Sequence, residues 1–189
     1  MPQRPRPLPL PIFFLVLTGP GAWFTFGEGE HRVALARDTV VASFPELAAD
    51  ESAILFGGDV LWARDYRRFT KKHGLDYPAR GILPLIQSAA SVAFVANHEG
   101  PITTERKRCP PAKNWNYRSR TRNLKVLPQI GFTHLSLANN HALDRCAKGL
   151  NDTVGHLESV GIVPFGAGIN LEAASRAAMI DAPLRVHVD

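Results

Sequence analysis

From Ala53 onward, short apolar runs alternate with stretches whose apolar residues recur at helical spacing. "AILFGGDV" (Ala53–Val60) and "SVAFVAN" (Ser91–Asn97) read as buried strands, and "THLSLAN" (Thr133–Asn139) as a third. "IVPFGAG" is a fourth, and "AAMIDA" near the C-terminus is a candidate fifth. Between them lie helical patterns. "RDYRRFTKKHG" is a basic helical turn or two closed by Gly74, and "GILPLIQSA" is a second helical segment. A helix is predicted from about Arg120 to Ile130, with Leu124 and Leu127 on one face. Leu150, Val154, Leu157 and Val160 mark another, ended by Gly161. Strands alternating with helices predict an α/β fold with a mainly parallel sheet flanked by helices.

In such sheets, functional groups gather beyond the carboxyl ends of the strands. Here the first strand ends in Asp59, and the second in Asn97, His98 and Glu99. The third ends in Asn139, Asn140, His141 and Asp144. Each alone reads as a turn or helix cap. Together at one sheet edge, carboxylate, amide and imidazole donors suit a divalent metal. A pair of such ions can clamp a phosphoryl group and activate water. No P-loop, GxGxxG or Ser-His-Asp order stands at a strand–helix junction.

The N-terminal region departs from this rhythm. Arg4 and Arg6 precede an uncharged stretch from Pro7 to Gly27, with Ile12–Leu17 its most apolar part. Residues 1–27 are read as a signal peptide or membrane anchor, with a buried core segment as the alternative. Residues 28–50 read as a linker, and 51–189 as the domain. The 189-residue chain is 45% hydrophobic and 21% charged, ordinary for a globular protein, with a formal charge of +5. Cys109 and Cys146 show no zinc-binding spacing. They are either a disulfide of an extracytoplasmic domain or two free thiols.

The segments "FGGDV", "ANHEGPIT", "LSLANNHALD", "GLNDTVGHLESVGI" and "FGAGINLEAA" occur in the order of the bacterial capsule-synthesis CapA family, and the chain resembles it from Ala53 to Ala174. These poly-γ-glutamate biosynthesis proteins are similar to calcineurin-like metallophosphoesterases, which sandwich two sheets between helices. The resemblance implies metal ligands at Asp59, Asn97, Glu99, Asn140 and His141, with catalytic parts for His141 and Asp144. It implies a divalent cofactor (Mn, Zn or Fe), as one or two ions. His98 departs from the family's Asn-x-Glu pattern, which has an apolar residue there. Strand alternation turns His98 away from its neighbours, as a structural histidine. The family's later histidine motifs, of His-Trp-Gly and Gly-His-His type, do not occur, and His187 restores neither. The expected fold is therefore incomplete, covering its first half.

Charge is concentrated in "ERKRCPPAKNWNYRSRTRNLK" (Glu105–Lys125), with eight basic residues against one acid. Arg118, Arg120 and Arg122 are candidate contacts to an anionic polymer such as poly-γ-glutamate or capsular polysaccharide. A solvated loop and helix face is the plainer reading, and nucleic acid the less favoured partner. The expected setting is extracytoplasmic, membrane-associated through the N-terminal segment, beside other capsule-synthesis subunits. The alternatives are a non-catalytic polymer-binding or export module, or an inactive truncated homologue.

Overall fold

The computed structural model describes residues 15–18, 53–63, 66–88, 91–109 and 113–181. Five strands form one sheet in the order β1 (Leu15–Thr18), β2 (Ala53–Val60), β3 (Ser91–His98), β4 (His134–Ser136) and β5 (Val163–Phe165). β2 to β5 are mutually parallel, and β1 runs antiparallel along β2. Apart from β1, the expected leader and linker lie outside the described residues. The strands are continuous apolar runs because the sheet is buried: Leu55, Phe94 and Leu135 all join one core with Ile130, Phe132, Leu157 and Ile162.

Register decides what the sheet presents at its upper edge. Asp59 pairs with Asn97, and Asn97 with Ser136, so these residues form one row across three strands. Getting Asp59 into that row requires an irregularity. Phe56 pairs with Val95 but Asp59 with Asn97, so β2 carries one extra residue over that interval. Gly57 lies within it, and a Cβ there would meet the Phe94 ring at 3.1 Å and Ala96 Cβ at 3.3 Å. The Gly-Gly pair thus accommodates a bulge that sets where the aspartate falls.

The helices connect these strands. α1 (Tyr66–His73) ends at Gly74, whose φ of 101° is a left-handed conformation that favours glycine. α2 (Leu83–Ser88) precedes β3. The helix expected over 120–130 is divided, with a 3₁₀ segment at Thr121–Val126 running into α3 (Leu127–Ile130). Pro128 lacks the N–H that would continue the ladder across the junction. α4 (Cys146–Glu158) follows β4, and its deepest face is Gly149, Thr153 and Leu157. The apolar stripe read from sequence only partly coincides with that face, because Leu150 and Val154 are half-buried. Gly149 permits the close approach: a Cβ there would lie 3.3 Å from Pro101 and 3.4 Å from Thr103.

The segment after α5 (Leu171–Ala174) corrects one expectation. "AAMIDA" does not form a fifth parallel strand; its described residues are irregular. It lines a cleft with Val163, Pro164 and Phe165 of β5 without pairing, and the Met179 carbonyl is 3.1 Å from His134 Nε2 on β4. A single side-chain contact supplies no ladder.

Candidate strand-end site

The polar residues of three strand ends are linked by a continuous hydrogen-bond chain. Asn97 Nδ2 donates to Asp59 Oδ1 at 2.7 Å. Asn139 Nδ2 donates to Asn97 Oδ1 at 2.9 Å and to the His98 carbonyl at 3.0 Å. The Asn139 side-chain oxygen accepts the His141 backbone N–H at 3.0 Å. His141 Nδ1 lies 2.7 Å from Asp144 Oδ2. The links reach from Asp59 on β2, through β3, to the turn after β4.

A loop from the basic segment covers the far end of this chain. Lys113 Nζ donates to the Asn140 carbonyl at 2.6 Å and to Asp144 Oδ1 at 2.7 Å, and lies 3.1 Å from His141 Nδ1. The Tyr117 backbone N–H donates to Asp144 Oδ2, and its ring stacks on His141 at 4.0 Å. Gly100 allows the loop this close; a Cβ there would meet Tyr117 Cβ at 2.7 Å. Arg145, buried, donates to the Arg106 and Asn116 carbonyls. A disulfide joins Cys109 to Cys146, resolving the open question of pairing.

These contacts constrain the tautomer of a neutral His141 ring. Nδ1 faces both an ammonium and a carboxylate, but it carries only one hydrogen or one lone pair along that direction. The 2.7 Å contact to Asp144 is a hydrogen bond if Nδ1 carries the proton. Lys113 then gives its protons to Asn140 and Asp144, and Nε2 is left as the acceptor nitrogen. Asp144 is 1% exposed. Burial pushes its carboxyl upward, but Lys113, the Tyr117 N–H and His141 together outweigh that and hold it below the usual range.

Of the expected ligands, Asp59, Asn97 and His141 lie along this chain. Glu99 is half-buried beside it. Burial first, then the charge of Asp59, raise its carboxyl above the usual range, while His141 and Lys113 oppose them. Asn140 is exposed, and its carbonyl rather than its amide meets Lys113. His98 is buried among core residues as expected, with burial holding its imidazole down to about 4 and Nδ1 unpartnered. Asn139, Lys113 and Tyr117 bind the site together and were not among the residues assigned to it from sequence. Asn139 was visible only as one of two adjacent asparagines, and Lys113 as one cation among eight.

The donor types fit a hard divalent ion, with carboxylates at Asp59 and Glu99, amide oxygens, and an imidazole whose orientation a carboxylate fixes. The set is incomplete: among the described residues no three His, Cys, Asp or Glu side chains form a metal-holding group. Arg118 donates to the Thr104 carbonyl at 3.3 Å. Arg120 and Arg122 lie outside the strand-end chain.

A parallel α/β sheet with this row of donors is consistent with part of a metallophosphoesterase-like domain. Residues 53–188 match the bacterial capsule synthesis protein PGA_cap family, and the chain belongs to that family. It is 30% identical over 121 residues to the PGA biosynthesis protein CapA of Bacillus subtilis, covering 64% of this chain and 31% of that protein. It is 28% identical over 138 residues to the capsule biosynthesis protein CapA of Bacillus anthracis, covering 72% and 33%. A probable polyglutamine synthesis accessory protein of Mycobacterium tuberculosis is 34% identical over 104 residues, covering 55% and 27%. The chain spans about a third of the length of these relatives.

Proposed function

We propose that this chain carries one wall of a metallophosphoesterase-like centre in a CapA-like protein of capsule or poly-γ-glutamate biosynthesis. The observation that carries this reading is the hydrogen-bonded series Asp59–Asn97–Asn139–His141–Asp144, which holds three strand ends in one polar constellation. Asp59, Asn97, Glu99, Asn140 and His141 would hold the ion, with further ligands from outside this set. The ion would supply Lewis acidity and an activated water for attack on a phosphoester or related bond. The chain's own contribution is orientation. Asp144 fixes the His141 ring, leaving the Nε2 lone pair to meet the ion.

The disulfide supports an extracytoplasmic setting, since such bonds persist in oxidising compartments. Among the described residues no helix is long and apolar enough to cross a membrane, and Leu15–Thr18 pair with β2, so attachment through the rest of residues 1–27 belongs to the proposal. Calorimetric titration of the full chain with Mn²⁺ or Zn²⁺ tests the reading. Binding that is lost in Glu99→Ala and His141→Ala, both verified as folded by circular dichroism, is the expected result. No binding by the folded wild-type chain, or undiminished binding by both variants, overturns it.

The second reading is a non-catalytic module that binds an anionic polymer. It is favoured by one observation: among the described residues, Arg118, Arg120 and Arg122 form no salt bridge.

A further inference from the structure

The bulge that places Asp59 also borders an apolar cavity of about 170 Å³, shared by β2, β3 and α1. Its walls include two aromatic pairs. Phe94 stacks on Phe132 with ring centroids 4.5 Å apart, and Trp62 packs against Tyr66 at 4.9 Å. Gly57 and Gly58 contribute wall without projecting side chains into the space. Well-packed interiors leave few voids larger than a water molecule. A dry apolar cavity of about 150 Å³ is large enough to hold benzene.

The cavity opens at the candidate site. Of its described lining residues only Gly58 and Asp59 are exposed; the rest are buried or half-buried. Asp59 is also the first member of the strand-end chain, where its Oδ1 accepts from Asn97. Charge is confined to this mouth, since Asp59 is the one charged side chain among the described lining residues. Deeper in, the Tyr66 hydroxyl is already given to the Leu75 carbonyl at 2.5 Å. A sugar or a carboxylate chain placed inside would bury polar groups without partners. A flat ring buries none and gains stacking from the aromatic walls.

We infer that this cavity is a ligand pocket for a single aromatic ring, carried by a small phosphoryl compound whose anionic head lies at the strand-end site. The ring follows from the cavity alone. The phosphoryl head rests on the metallophosphoesterase-like reading above. Asp59 repels an anionic head until an ion offsets its charge, so the two halves of the ligand can be tested apart. The polymer chain itself is not what this pocket takes, because its repeating polar groups belong in water.

The test begins with fluorobenzene, followed by fluorine NMR on the metal-free full chain. Wild type should bind it. Ala79, buried in the cavity wall, offers a way to fill the space. Ala79→Val should weaken binding and Ala79→Leu abolish it, both verified as folded by circular dichroism. Ala147→Leu, the same change at an exposed position of α4, should leave it intact. With Zn²⁺ added, phenylphosphonate should displace fluorobenzene at a concentration about tenfold or more below that of methylphosphonate, which lacks the ring. Glu99→Ala should keep fluorobenzene but lose this displacement. No fluorobenzene binding by folded wild type, or undiminished binding by both folded Ala79 variants, overturns the pocket. Equal displacement by the two phosphonates, or none by either in the Zn²⁺-bound chain, overturns its link to the strand-end site. Fluorobenzene bound by a chain that takes up no Zn²⁺ supports the ring pocket and counts against the metal reading instead.

Discussion

Reducing the Cys109–Cys146 bond should lower the stability of this domain by an amount that the chain topology sets. The two cysteines are 37 residues apart. In the chain-entropy treatment, closing a loop of that length removes about 13 cal/mol/K from the unfolded ensemble, or about 4 kcal/mol at 25 °C. The native-state side is local. The Cys109 backbone N–H donates to the Asp144 carbonyl at 3.2 Å, and Arg145 holds the Arg106 and Asn116 carbonyls, so the loop keeps other anchors when the bond opens. The loss should therefore appear mainly as destabilisation of the whole domain, with the folded loop still seated. Equilibrium urea unfolding of the full chain, with and without a thiol reductant, measures it, and Cys109→Ser/Cys146→Ser supplies a reductant-free comparison. Both should shift the midpoint downward by a similar amount. A stability change below about 1 kcal/mol in both comparisons would refute the loop-closure account. A collapse in reductant that the double serine variant does not share would also refute it.

Three further outcomes test particular contacts. Lys113→Met should cost about 2–3 kcal/mol in urea unfolding, because it leaves the Asp144 carboxylate buried without its cation; a loss under 0.5 kcal/mol would show that Asp144 relies on its other donors. Gly100→Ala should cost about 1–3 kcal/mol, since Gly100 has a φ of 78° and the new methyl meets Tyr117; nitrogen shifts of the His141 ring should change as Tyr117 is displaced. Asp152 accepts from the Thr103 hydroxyl and from Lys148, which together hold its carboxyl below the usual range. A folded-state value below the unfolded one gives stability that is present above the ordinary carboxylate range and lost as pH falls through it. Acid unfolding of Asp152→Asn should show a shallower decline over that window than wild type.

The sheet was legible because β2 and β3 are apolar on both faces and admit few other placements. The bulge was not read, although Gly57 and Gly58 are plain in the sequence, because only pairing with Asn97 reveals the extra residue. "AAMIDA" has strand-like composition, but composition does not say whether a free edge is within reach. The site was half legible. Asp59 and Asn97 lie near the ends of β2 and β3, Glu99 follows β3 and His141 sits in the turn after β4, so the chain direction delivers them to one edge. Lys113 comes from a loop in which every cation resembles the next, and only the position of Asp144 selects it. Asn139 bridges β3 to the turn through contacts 42 and 41 residues away, which no local pattern contains.

Among the described residues no strand pairs with the outer side of β5, which bears on how the molecule behaves at high concentration. Three residues of strand offer only about 10 Å of ladder to an incoming chain, too little to template extended pairing. Yet Val163, Ile169, Leu171 and Met179 present large apolar side chains in the same stretch of chain. Self-association on this side would be driven by side-chain contact, weakening on cooling as hydrophobic attraction does. Light scattering at two temperatures would distinguish that behaviour from the temperature-resistant growth of paired strands.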